Sequence, residues 1–143
     1  MPRVTTCSLL TVSVAVLLVG CDRLWPDAYW RSERYVLLAI DTKGQMNLSF
    51  DLGNGTAVGL VDPTVFSIGA DERYIVVQQH PKLDNFGHFN RSLTNYFVIE
   101  RTSTNRWAER KGRVRGPLTE EQFQKLTSNL KLPPFTKVFN DLN

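Results

Sequence analysis

His80 and His88 stand on either side of Asp84 and Asn85 in a polar stretch, and here the 143-residue sequence comes closest to a reactive cluster. Histidines with a carboxylate can ligate a divalent metal or supply a general base. His-x7-His is not a recognised ligand spacing, and no nucleophile stands near it, so neither a metal nor a cofactor is expected. Ser49 and Ser67 fall inside β-type runs without the Gly-x-Ser-x-Gly elbow that exposes a nucleophile. The glycines of Gly53-x-Gly55-x-x-x-Gly59 invite comparison with a phosphate cradle. Such a loop must lead from a strand into a helix N-terminus, and residues 56–61 read as a strand, so a hairpin is expected. The triplets at Asn47, Asn54 and Asn90 match a glycosylation acceptor and are read as chance. An enzyme is not expected; an envelope hydrolase would need a pocket converging on His80, Asp84 and His88.

Binding chemistry is concentrated further along. Residues 101–116 hold Arg101, Arg106, Arg110, Lys111, Arg113 and Arg115 beside Trp107. Guanidinium groups grip phosphate or carboxylate in a planar fork and stack on rings. Arg106, Trp107, Arg110, Arg113 and Arg115 are therefore the candidate binding surface, for anionic lipid headgroups or an acidic envelope protein. A solvated face is the more ordinary reading of such a run, since charged residues are usually outside anyway. The formal net charge of +3 is too small to single out nucleic acid, and no nucleic-acid partner is expected.

The N-terminal residues have the layout of an export signal, with Arg3 ahead of an apolar stretch rich in Leu and Val. Thr5, Thr6, Ser8, Thr11 and Ser13 dilute that stretch, which falls short of the about 20 predominantly apolar residues of a spanning helix. It ends in Leu18-Val19-Gly20-Cys21, which resembles the lipobox of bacterial lipoproteins at all four positions. The resemblance implies that a diacylglycerol is attached to the Cys21 thiol, that the chain is cut before Cys21, and that the new amino group is acylated. Several acyl chains hold stably where one holds marginally, since each buried methylene contributes about 0.8 kcal/mol. An ordinary secretory signal with an incidental Cys, or an uncleaved anchor helix, is the alternative. In Gram-negative lipoproteins an aspartate after the cysteine, here Asp22, favours retention in the inner membrane facing the periplasm. Cys7 is the only other cysteine and falls within the signal, so no disulfide is expected.

These readings divide the chain into a signal peptide at 1–20, a lipidated cysteine and membrane-proximal tether at 21–33, and one globular domain at 34–143. Trp25, Tyr29 and Trp30 crowd the tether, where they suit either the headgroup zone or one end of the domain. Six β-type runs follow, at 34–40, 46–52, 56–61, 65–70, 73–78 and 95–100, separated by turn residues. Met46, Leu48, Phe50 and Leu52 alternate with polar residues and predict a half-buried strand. The connections are too short for parallel crossovers, so the strands must pair antiparallel. Residues 101–116 fit either a ragged edge strand or a loop.

Thr119 followed by Gln122 predicts a capping box, with Leu118 and Phe123 as the hydrophobic staple. Phe123, Leu126 and Leu130 share one helix face, and Pro133-Pro134 stops the helix. The expected fold is α+β, mainly β: an antiparallel meander of about five or six strands with one C-terminal helix packed on it.

The segments 68–81, 96–100 and 116–123 resemble small bacterial lipoproteins of unknown function. That resemblance implies the same strand, turn and strand arrangement followed by the capped helix, and it carries across no catalytic residue. The functional expectation is a membrane-anchored lipoprotein presenting a non-enzymatic binding or accessory domain in the cell envelope. An immunity-type lipoprotein that neutralises an envelope-acting toxin is the alternative.

Overall fold

The computed structural model describes residues 28–84, 87–104 and 106–143, with the backbone alone at 107 and 108. The described residues form nine strands in two antiparallel sheets. The first sheet contains β1 (Trp30–Ser32), β2 (Tyr35–Leu38), β3 (Asn47–Gly53) and β4 (Thr56–Val61), in that spatial order. The second contains β5 (Val65–Ala70), β6 (Tyr74–Gln79), β7 (Asn95–Glu100), β8 (Val114–Leu118) and β9 (Lys137–Val138), in the order β8-β7-β6-β5-β9. A short helix, α1 (Trp107–Lys111), precedes β8, and the longer α2 (Glu120–Leu130) follows it.

The two sheets face one another across the main core. Tyr35, Leu37, Leu48 and Phe50 come from the first sheet, and Ile68, Ile75, Val77, Phe97 and Ile99 from the second. Because side chains alternate across a strand, Tyr74, Val76, Tyr96 and Val98 point to the other side of the second sheet. There they meet Phe123 of α2. This three-layer arrangement explains why β6 and β7 read as nearly unbroken apolar runs: both of their faces are covered.

The mainly β reading with one capped C-terminal helix stands, and all six expected runs are strands. They are joined by β1, β8 and β9, and β1 begins within the stretch read as tether. Tyr29 and Trp30 cover one end of the domain: Tyr29 packs edge-on against Phe139, and Trp30 lies against the main core. Asn54-Gly55 makes the expected hairpin, with φ of 53° and 74° that suit a tight turn. Residues 62–64 form a corner instead of a hairpin, with Thr64 and His80 exchanging backbone hydrogen bonds as the chain crosses to the second sheet. Leu52 does not join the core. The β3–β4 register shifts between Asp51 and Gly53, and Leu52 is left exposed.

The helix starts where its sequence says it should. Thr119 accepts from the Gln122 backbone, and the Gln122 side chain accepts from the Thr119 N–H. Phe123 is buried on the second sheet, with Leu126 and Leu130 partly buried beside it. Lys131 closes the helix in the left-handed conformation. Beyond it the tail returns along β5, where Thr136 donates to Ile68 O and β9 pairs with Ser67 and Ile68. Phe139 and Leu142 then enter the core between the sheets. Lys43 binds Asp141 at 2.6 Å, and Arg91 donates to the carbonyls of Asp141 and Asn143.

Candidate functional site

Cys21 and Asp22 lie outside the described residues, as do the apolar stretch before them and residues 23–27. The basic segment is described in large part. After β7 it is stitched down by local hydrogen bonds: Thr102 N–H to Tyr35 Oη, Thr104 N–H to Thr102 Oγ1, and Arg106 N–H to Thr104 Oγ1. Glu109 in the first turn of α1, with Arg110 and Lys111 in the last, suits the helix dipole. Each alternative holds for part of the segment, irregular at 101–104 and the edge strand β8 from Val114, with the short helix α1 between them.

The structure does not give all these cations to solvent. Arg101 bridges the two sheets, pairing with Glu33 at 2.9 Å and donating to Ser32 Oγ and Asp71 O. Arg110, expected on the exposed basic surface, is buried at 1% exposure. Its guanidinium lies over the Phe50 ring, 3.2 Å from the centroid, and donates to Thr104 O. Stacking on an aromatic face compensates the cation for part of its lost hydration. Burial is the main cause holding the Arg110 pKa below its ordinary value. Nε and Nη1 of Arg110 have no hydrogen-bond acceptor.

Arg106, Arg113 and Arg115 are exposed. Arg106 pairs with Glu109 at 3.1 Å, and Arg113 with Glu100 at 3.3 Å. The exposed basic surface is thus smaller than the sequence suggests, and two of its three arginines already face carboxylates. Trp107 opens α1; its side chain lies outside the description.

The two histidines occupy different environments. His80 is 2% exposed and stacks between Phe66 and Phe89, with centroids at 4.1 Å and 6.1 Å. Its Nδ1 is 2.7 Å from Leu93 O. A carbonyl only accepts, so Nδ1 carries the proton there. His88 lies on the surface, with Nδ1 2.5 Å from Asp84 Oδ2. Of the three residues named for a hydrolase, His80 is thus enclosed by aromatic rings while Asp84 and His88 pair with each other at the surface. Among the described residues no group of three or more His, Cys, Asp or Glu side chains could hold a metal ion.

Two hollows remain. One, of about 200 Å³, lies on the outer face of the first sheet over Val36, Leu38 and Ala57, with the Arg31–Asp51 pair at its edge. The other, of about 330 Å³, opens between β4 and β8 over Leu60, Val61, Phe97 and Val114. Sequence reasoning missed the second because β4 and β8 are adjacent only in space.

Asp51 holds its charge firmly. The Gly53 N–H, 2.8 Å away, is the main cause of its lowered pKa, followed by Arg31 at 3.0 Å. Its ionised form therefore stabilises the fold at pH values above the unfolded-state pKa of about 3.9. That contribution is lost as pH falls through the lower, folded-state value. Denaturation midpoints of the native chain and Asp51→Asn should differ at neutral pH and converge at strongly acidic pH; a constant difference would remove Asp51 as the cause.

No helix of the described residues is long and apolar enough to cross a membrane. A family model described as a protein of unknown function, DUF3997, matches residues 32–139. No curated protein and no solved structure matches the chain.

Proposed function

The chain belongs to the DUF3997 family of unknown function, and from that premise we propose that it is a non-enzymatic lipoprotein presenting its two-sheet domain as a binding or accessory component of a bacterial cell envelope. The observation that carries this reading is Leu18-Val19-Gly20-Cys21, placed shortly before a fold whose first strand starts at Trp30. Acyl chains on Cys21 hold the protein on the membrane, and residues 22–29 are the link. Eight residues reach at most about 29 Å even when fully extended. The domain accordingly works close to the bilayer, where exposed Arg106, Arg113 and Arg115 meet anionic headgroups or an acidic envelope protein. Asp22 keeps the lipoprotein in the inner membrane, facing the periplasm, in a Gram-negative cell.

Metabolic labelling with a fatty-acid probe tests the anchor. The native chain should take up label and sediment with membranes, and Cys21→Ser should do neither. A Cys21→Ser chain that is still labelled and still sediments would overturn the reading.

A further inference from the structure

Sheet edges carry unpaired N–H and C=O groups that can template another strand, and folded proteins usually blunt them. Among the described residues four strands form edges: β1, β4, β8 and β9. Two are minimal, β1 having three residues and β9 two. The third, β8, carries Arg115 and Pro117. β4 has six residues and neither charge nor proline. It is the longest of the four edges, and its residues 57–59 keep a regular register between two register shifts.

Hydrogen bonding on the neighbouring strand shows which groups β4 leaves free. The Asp51 N–H donates to Arg34 O, towards β2, at 2.7 Å. Asp51 therefore cannot donate to Ala57, the residue opposite it on β4. Bonded and non-bonded pairs alternate along an antiparallel ladder. Phe50 and Val58 are then the bonded pair, while Asp51 with Ala57 and Ser49 with Gly59 are not. The N–H and C=O groups of Ala57 and Gly59 point away from β3, and no described group meets them.

A strand laid along this edge would send every second side chain towards the space between the sheets. That space holds the 330 Å³ groove between β4 and β8, lined by Leu60, Val61, Phe97 and Val114 together with the side-chain amides of Gln79 and Asn95. Asp62 and Lys111 at its margin have opposite signs, which favours no net charge in the occupant. A second copy of β4 would not fill the groove, because Leu60 and Val61 of that copy are buried in its own core. We propose that the free edge of β4 takes up an extended, uncharged segment of a partner protein as an added strand, with alternate uncharged side chains in the β4–β8 groove. This inference rests on the reading of the domain as a binding component and locates its contact.

Amide hydrogen exchange of the full-length protein in detergent micelles tests it, with a short alternating Thr-Val peptide flanked by serines and blocked at both ends as the probe. Exchange at Ala57 and Gly59 should slow by about tenfold, equivalent to roughly 1.4 kcal/mol, while Val58, already bonded to β3, is unchanged. Ala57→Pro removes an edge N–H and should abolish the protection of Gly59. A peptide N-methylated at alternate residues should protect neither position, and it tests the native chain even if Ala57→Pro fails to fold. No protection at saturating peptide, or equal protection by the N-methylated peptide, overturns the proposal. Protection that rises with protein concentration in the absence of peptide also overturns it, by assigning the edge to a second copy. Lipid labelling is scored separately: a chain without label that still protects both amides removes the membrane anchor and keeps the edge.

Discussion

Phe123→Ala is expected to lower the stability of the domain by about 3–5 kcal/mol, the range for deleting a buried aromatic ring. Phe123 is the buried residue of α2, at 5% exposure, and its ring stacks on Tyr96 with a centroid separation of 4.8 Å. Phe135 of the returning tail lies 5.6 Å away on the same ring. Truncation therefore opens a cavity where helix, sheet and tail meet, and Leu126 and Leu130, only partly buried, cannot refill it. Chemical denaturation should show a lower midpoint with an unchanged slope. Phe123→Leu should lose less. An unchanged midpoint for the alanine variant would mean that α2 does not contribute to the core.

Gly69→Val should be comparably damaging for a different reason. A Cβ on Gly69 would fall 1.9 Å from Pro134 O and 2.8 Å from Pro134 C, both backbone atoms. The tail would have to leave β5, taking the β9 pairing and the buried Phe139 with it. A loss of about 3 kcal/mol, the upper end for overpacking, is expected. Gly59 supplies the control, since nothing lies within 4 Å of its added Cβ. Gly59→Ala should be near neutral, whereas Gly69→Ala should already be destabilising and should expose residues 131–143 to protease. Equal stability of the two alanine variants would show that the tail does not lie against Gly69.

The parts of the fold legible in the sequence are those decided within a few residues. Thr119 and Gln122 cap α2 by contacts three positions apart, and Asn54-Gly55 turns its hairpin through its own backbone preference. Partition into two sheets was not legible. Asp62-Pro63 reads as a turn whether the next strand pairs with β4 or crosses to a second layer, and the shared core decides between them. Strands as short as β1 and β9 have too few residues to show a period; they exist because a neighbour is there to pair with.

The candidate site divides along the same line. The arginines of residues 101–116 are visible as a cluster, but the burial of Arg110 depends on Phe50, which arrives from β3. His80 gave no sign of its aromatic stack, because Phe66 and Phe89 reach it from either side through folding. The free edge of β4 could not be seen either, since an edge is defined only once the order of strands is known.

The seating of Phe139 and Leu142 between the sheets has a consequence for timing. A chain that emerges N-terminus first, from a ribosome or through a secretion channel, presents its strands in order but cannot close the main core until residue 142 arrives. β5 likewise waits for residues 137 and 138 before its outer edge is paired. Until then the part of the apolar interior that Phe139 and Leu142 cover stays open. Full closure of the interior therefore waits for residues that lie far along the chain from the strands they cover.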